Sequence, residues 1–437
     1  MPPIETHSPN TGAPRRLVVV GGVAGGASAA ARARRLDEKA SIVVFEKGPD
    51  PSFANCGMPY YLGGEITDRN ALNVQTPASL KARLNVDVRC LTEVMSIDRA
   101  NKKVTVKEYT TGKTYDEPYD DLVLSVGAKP FVPPIKGIER EGNIALRNLQ
   151  DMDKIDGYLK EKAAKRVVVA GAGFIGVEMA EQLKHRGLEV VLVEALPQIM
   201  APLDEEMAAM LQTELEKHGV RVIINDGIGS FEEPTDGAVG SDVLLASGTR
   251  LHADLVILGL GVRADTKLVG DAGLKLGARG GIIVDEYLRT EDPNIWAVGD
   301  AIEVRNPTFG DQWMVAMAGP ANRQGRMVAD NIFGASHGSH FWHGADKRKY
   351  KGTLGTSVLR CFDLTCACTG VNERAVKGKG LKYKAIHLFP KNHAGYYPGA
   401  RQIWLKLIFN PETGAIYGAQ TVGGGGGGRV PQAAGPV

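Results

Sequence analysis

The stretch "KRVVVAGAGFIGVEMAEQLKHRGLEVVLVEALP", residues 165–197, leaves few folds open. An apolar strand runs into Gly171, Gly173 and Gly176 in full G-x-G-x-x-G register, a helix follows, and a second strand ends on Glu194. That order is the dinucleotide-binding unit: the turn brings backbone N–H groups and a helix N-terminus to a pyrophosphate, and the strand-end acid accepts from ribose hydroxyls. An earlier stretch, "RRLVVVGGVAGGASAAARARRLDEKASIVVFEKG", repeats the pattern with Gly21 and Gly26 in the outer places, Val23 in the middle one, and Glu46 at the strand end. Gly22 and Ala24 complete this first turn. Two units in one chain imply two dinucleotides, or one large and one mobile. An acid at Glu194, where a 2′-phosphate would need a cation, argues for NADH over NADPH.

The 437 residues suggest two or three domains. A net charge of +2, with basic residues scattered, gives no electrostatic reason to expect nucleic acid as a partner. No run approaches the ~20 apolar residues of a membrane helix, and residues 1–14 read as a disordered tail. Five cysteines do not suggest a secreted disulfide framework, so a reducing, cytoplasmic setting is expected. Between the glycine units, "VDVRCLTEVMSIDRANKKVTVKE" and "YDDLVLSVGAKPFVPPIKG" predict short antiparallel strands. In "NIWAVGDAIE", Asp300 follows an apolar strand, at the end of the sheet where ligands bind in such folds. A helix N-cap is the plainer use of such an aspartate.

With the second glycine unit, "SVGAKP" and "WAVGDA" in this order, the chain resembles the FAD-dependent pyridine nucleotide-disulfide oxidoreductases over about residues 15–420. The resemblance implies an α/β fold with two Rossmann-like domains, for FAD and NAD(P)H, and a C-terminal α+β interface domain. It divides the chain into FAD-binding segments 15–148 and 268–345, an NAD(P)H segment 149–267, and an interface segment 346–422. It implies FAD contacts at Glu46, Ser125, Gly127 and Asp300. Ala264 stands where the family usually has proline, which affects a turn only.

The cysteines choose a branch. "SFANCGMPYYLGG" offers only Cys56 near the first unit, where two-cysteine members carry a C-x₄-C pair. It resembles the single-cysteine branch of coenzyme A disulfide reductases, NADH oxidases and NADH peroxidases. The last two carry a histidine in the first glycine turn, where this chain has Ala24, so the wording follows the coenzyme A disulfide reductases. A lone cysteine shuttles electrons only if its disulfide partner comes from outside. The expectation is a mixed disulfide of Cys56 with coenzyme A, and a thiol whose pKa is lowered by its setting. An NADH oxidase is the main rival, and a non-catalytic redox sensor the second.

Ser28, Arg32 and Arg35 lie at i, i+4 and i+7 of the first helix and share a face. By the resemblance that face reaches the coenzyme, with Ser52, Asn55 and Asn322; two arginines on a solvated face are the ordinary alternative. From about Lys351 the runs "GTSVLRCFDLTCACTGV", "LKYKAIHLF" and "RQIWLKLIF" predict strands, matching the family's dimerisation domain and implying a homodimer. "HAGYYPGA" resembles the family's active-site loop, where Tyr396 or Tyr397 would protonate the departing thiolate. Cys361, Cys366 and Cys368 lack a fourth nearby ligand, and no metal site is expected. Residues 423–437, with six consecutive glycines, predict an atypical tail, an incomplete interface domain and a weakened dimer.

Overall fold

A computed structural model of the chain describes residues 13–235, 237–334 and 348–424. The expectations for residues 1–12, 335–347 and 425–437 lie outside the described residues. The chain divides into two compact units. The first takes Met1–Ala54, Asn70–Lys129 and Arg263–Thr353; the second takes Asn55–Arg69, Pro130–Val262 and Leu354–Val437.

The first unit is built on five parallel strands in the spatial order Ile295–Ala297, Asp121–Leu124, Arg16–Val20, Ser41–Phe45 and Asp87–Arg89. Leu17 to Val20, Ile42 to Phe45 and Leu122 to Leu124 are buried, which is the near-continuous apolar run that a sheet covered on both faces requires. Two strands predicted as antiparallel are corrected here. Asp87–Arg89 and Asp121–Leu124 pair in parallel, because "DLVL" is apolar on successive residues and sits inside the sheet. Its one carboxylate, Asp121, accepts from Arg15 Nε at 2.7 Å and from Trp296 Nε1 at 3.3 Å. The antiparallel expectation does hold for Thr92–Asp98, Lys103–Glu108 and Thr114–Pro118, a separate three-stranded sheet.

In the second unit, five parallel strands run in the order Arg221–Ile223, Glu189–Val193, Arg166–Ala170, Leu255–Leu258 and Asn143–Ile144. An antiparallel sheet of five follows at the C-terminal side: Ser357–Cys361, Leu364–Gly370, Ile416–Gly424, Ile403–Phe409 and Lys384–Leu388. Lys406 in this sheet is 1% exposed, with its ammonium 2.9 Å from Asp204 and 2.6 Å from Glu373, and it also meets Glu206. A charge so buried persists because it is paired. The last strand also corrects the start expected for the glycine tail. Gly423 and Gly424 pair with Thr365 and Leu364, and a Cβ at either would come within 3.1 Å of Ile403 or Arg401. No helix among the described residues is long and apolar enough to cross a membrane.

Candidate active site

In the first unit the parallel strands deliver their candidates to one edge, the C-terminal ends of the sheet. Gly21 follows Val20, Glu46 follows Phe45, Ser125 follows Leu124, and Asp300 follows the strand Ile295–Ala297 by three residues. Gly21 has φ +95°, and a Cβ there would lie 2.2 Å from Ser125 O, so only glycine makes this turn. A Cβ on Gly26 would fall 1.8 Å from Gly21 O, which holds the helix Ala24–Leu36 close to the turn. Val23, in the place of the middle glycine, is the helix N-cap. Gly127 is left-handed at φ +70°, with its carbonyl accepting from Asp265 N at 3.0 Å.

Glu46, expected on a ribose, has a second task. Its Oε2 accepts from Gly22 N at 2.8 Å and its Oε1 from Gly48 N at 2.8 Å, so it ties the glycine turn to the loop that follows its own strand. Glu194 repeats this in the second unit, accepting from Ala172 N at 2.8 Å and Leu196 N at 2.9 Å. A carboxylate has about four lone-pair sites, so each glutamate keeps capacity for ribose hydroxyls.

The second glycine turn separates the roles of its glycines. Gly171, at φ +96°, would place a Cβ 2.4 Å from Gly259 O, and Gly176 would place one 1.9 Å from Gly171 O. Gly173 is extended, and a Cβ there would meet nothing within 4 Å. It leaves open backbone at the N-terminus of the helix Phe174–His185, a cradle that fits a pyrophosphate.

Cys56 lies in a 3₁₀ turn, Asn55–Gly57, that leads into the helix Met58–Gly63, with its residue exposed. Asn55 Nδ2 donates to Arg147 O at 3.4 Å. The thiol pKa was expected to be low and is instead raised, by desolvation first and by the Glu178 carboxylate second. Burial and the neighbouring carboxylate both disfavour the thiolate.

Glu178 belongs to a cluster that no motif announced. Tyr60, four residues after Cys56, donates to Glu178 Oε1 at 3.4 Å. Burial first, and neighbouring Glu181 second, push the Glu178 carboxyl up to about 7, so it can hold or release a proton near neutral pH. Arg360, from the C-terminal sheet, donates to Glu181 Oε1 at 2.9 Å, bonds Glu65, and lies 4.8 Å from the Tyr60 ring centroid. Glu178 is two residues beyond Gly176, which was a usable signal. Arg360 lies about 300 residues along the chain from Tyr60 and gave none.

Among the expected coenzyme residues, Ser28 and Asn322 are brought together, Ser28 Oγ donating to Asn322 Oδ1 at 2.9 Å. Arg32 is an ion pair with Asp330 at 2.7 Å, and Arg35 is exposed. Ser52 is left-handed at φ +49°; its N–H donates to Gly22 O at 2.9 Å and its carbonyl accepts from Val74 N at 2.9 Å. Ser52 belongs to the first unit and Asn55 to the second. Tyr396 and Tyr397 are 89% and 65% exposed on their loop, and His393 packs edge-on to Tyr397. Cys361 and Cys366 are buried in the C-terminal sheet.

The sequence profile of the pyridine nucleotide-disulphide oxidoreductase family matches residues 15–322, and that of its dimerisation domain matches residues 357–435. A coenzyme A disulfide reductase of Staphylococcus aureus (strain JH9) is 33% identical over 93% of this chain and 88% of its own. An NADH oxidase of Methanocaldococcus jannaschii is also 33% identical, over 94% of this chain and 88% of its own. The crystal structure of reduced Bacillus anthracis CoADR-RHD superposes with a TM-score of 0.88 at 48% identity, covering 94% of this chain and 72% of that one.

Proposed function

We propose, for a chain that belongs to the pyridine nucleotide-disulphide oxidoreductase family and takes FAD and NAD(P)H as cofactors, a reductase of coenzyme A disulfide or a related low-molecular-weight disulfide, persulfide or polysulfide. The observation that carries this reading is Cys56. It is a free, exposed thiol, while Cys361, Cys366 and Cys368 of the same unit stand on strands of the C-terminal sheet. An external thiol is therefore its natural disulfide partner, and a coenzyme A mixed disulfide is the resting oxidised form.

FAD, once bound and reduced by NADH, would supply the pair of electrons that the disulfide needs. As the Cys56–coenzyme A disulfide opens, Cys56 is left as a thiolate and the departing coenzyme thiolate takes a proton from a Tyr396 or Tyr397 phenol. The Cys56 thiolate then attacks one sulfur of the next disulfide; a new mixed disulfide forms and the second thiolate leaves. One disulfide, one NADH and one proton give two thiols and NAD⁺. Glu46, Ser125, Gly127, Asp300 and the first glycine turn would hold FAD. Gly171, Gly173, Gly176 and Glu194 would hold the nicotinamide nucleotide, and Ser28, Arg32, Arg35, Ser52, Asn55 and Asn322 the coenzyme. The protein would act in the reducing cytoplasm, as a homodimer.

The rival reading, an NADH oxidase, is supported by the Methanocaldococcus relative. Ala24, where NADH oxidases and peroxidases carry a histidine, counts against it. NADH consumption under argon and under air, each with and without coenzyme A disulfide, separates them. The reductase reading predicts disulfide-dependent consumption under argon; consumption that needs oxygen and ignores the disulfide would replace it.

A further inference from the structure

Within the second unit, the turn and helix that carry Cys56 rest among acids that the reading above leaves unused. Three elements supply the charged and titratable groups. The helix Met58–Gly63, entered through the Cys56 turn, gives Tyr60, and Glu65 follows its end. The helix Phe174–His185 gives Glu178, Glu181 and His185, and the strand Ser357–Cys361 gives Arg360. The helix Leu149–Glu161 also packs on Met58–Gly63, but its Asp156 is matched by Arg186 at 2.8 Å and by Lys160 at 2.6 Å. Arg360 divides its guanidinium between Glu181 and Glu65, and His185 lies 3.5 Å from Glu65. Glu178, one turn before Glu181, has the Tyr60 hydroxyl 3.4 Å away. Glu181 is fully buried, and its Oε2 has no hydrogen-bond partner among the described residues, so acceptors already outnumber donors here. The Glu178 carboxylate is felt at Cys56 and at Cys366 of the strand Leu364–Gly370.

We infer that Glu178 takes up a proton from water each time Cys56 becomes a thiolate, and returns it when Cys56 re-forms a disulfide, so that the two anions are not held side by side; this rests on the redox role proposed above for Cys56. Opening the disulfide with an electron pair turns a neutral sulfur into an anion, beside a cluster in which one permanent cation already faces two other carboxylates. Two acids that interact in this way titrate as a pair. A carboxyl already pushed up to about 7 is ready for the uptake near neutral pH, and Glu178 is only half-buried, so water can deliver the proton. When the Cys56 sulfur forms its next S–S bond and loses its charge, Glu178 ionises again, and its proton passes to water or to the thiolate that leaves. Over a full cycle Glu178 gains and loses one proton, which leaves the overall reaction unchanged. It acts through Cys56, as a positioning residue.

The test uses the FAD-loaded enzyme and its E178Q, E178D and C56S variants. Cys56 is converted to its methyl disulfide with methyl methanethiosulfonate and then reduced with a phosphine near neutral pH, and the infrared difference between the two states is recorded. A carbonyl band of a protonated carboxyl should appear on reduction, persist in E178D, and be absent from E178Q and from C56S. Alkylation of Cys56 by iodoacetamide, followed at its own peptide by mass, reports the thiolate. Its rate at about pH 7 should rise about tenfold in E178Q, which carries no carboxylate beside the sulfur, and stay near that of the unsubstituted protein in E178D. No carboxyl band in the unsubstituted protein, the same band in E178Q, or an unchanged alkylation rate in E178Q each overturns the inference. None of these readings needs turnover of coenzyme A disulfide. If the band and the rates behave as expected while coenzyme A disulfide is not reduced, the proposed substrate falls alone.

Discussion

Glu178 carries a carboxyl pushed up to about 7, by burial first and by Glu181 second, from the usual 4.5. Between those values the folded protein binds a proton that the unfolded chain releases, so this group costs stability as pH rises from about 4.5 to about 7. Glu178→Gln removes that cost. Relative to the unsubstituted protein its unfolding free energy should rise as pH goes from about 4.5 to about 7, by on the order of 2 kcal/mol. A difference that stays flat with pH would mean that Glu178 ionises normally. Glu194 bears on donor choice: NADH should be used at least as well as NADPH, and Glu194→Ala should narrow the gap in kcat/KM. A strong NADPH preference that survives the substitution would remove the argument. Both strand-end glutamates were legible in the sequence because they stand at a fixed offset from a glycine turn. Their grip on Gly22, Gly48, Ala172 and Leu196 was not, since a backbone N–H leaves no mark on composition. The raised pKa of Cys56 was read with the wrong sign. The flanking residues say nothing of Glu178, which arrives from another helix.

At the scale of elements, the glycine turn of the second unit makes a paired prediction. Gly176→Ala forces a Cβ to 1.9 Å from Gly171 O and should destabilise the unit by about 3 kcal/mol or more, read as a loss of cooperative unfolding or of soluble protein. Gly173→Ala meets nothing within 4 Å, so the fold should hold while KM for NADH rises about tenfold. If both variants fail alike, the turn does not divide its duties as the geometry indicates. Strand and helix positions in both glycine units could be read from periodicity, since apolar runs between glycines leave little choice. Strand direction could not. "DLVL" pairs in parallel because of where the chain returns, and that is set by residues far from it. The two glycines after Val422 were read as tail because glycine has no propensity signal, although backbone alone suffices for a ladder.

Across the whole molecule, the C-terminal sheet is tied to the second nucleotide fold through Lys406, whose ammonium answers Asp204, Glu206 and Glu373. No local pattern marked this lysine, which is about 200 residues from two of its partners. Lys406→Met takes the buried ammonium from Asp204, Glu206 and Glu373, of which Glu206 keeps His387 and Glu373 keeps Lys377, and should cost about 3–5 kcal/mol, seen as a lower thermal midpoint. A midpoint within a degree of the unsubstituted protein would show that the ties are screened. The order of the segments, by contrast, was plain from the two glycine units and the strand-like runs after Lys351. The central claim is that one thiol passes electrons to an external disulfide, and Cys56→Ser tests it most directly. Under argon the serine variant should still lose its flavin absorbance on addition of NADH, yet coenzyme A disulfide should then restore the colour only in the unsubstituted enzyme. A serine variant that reduces coenzyme A disulfide at the full rate would contradict the account.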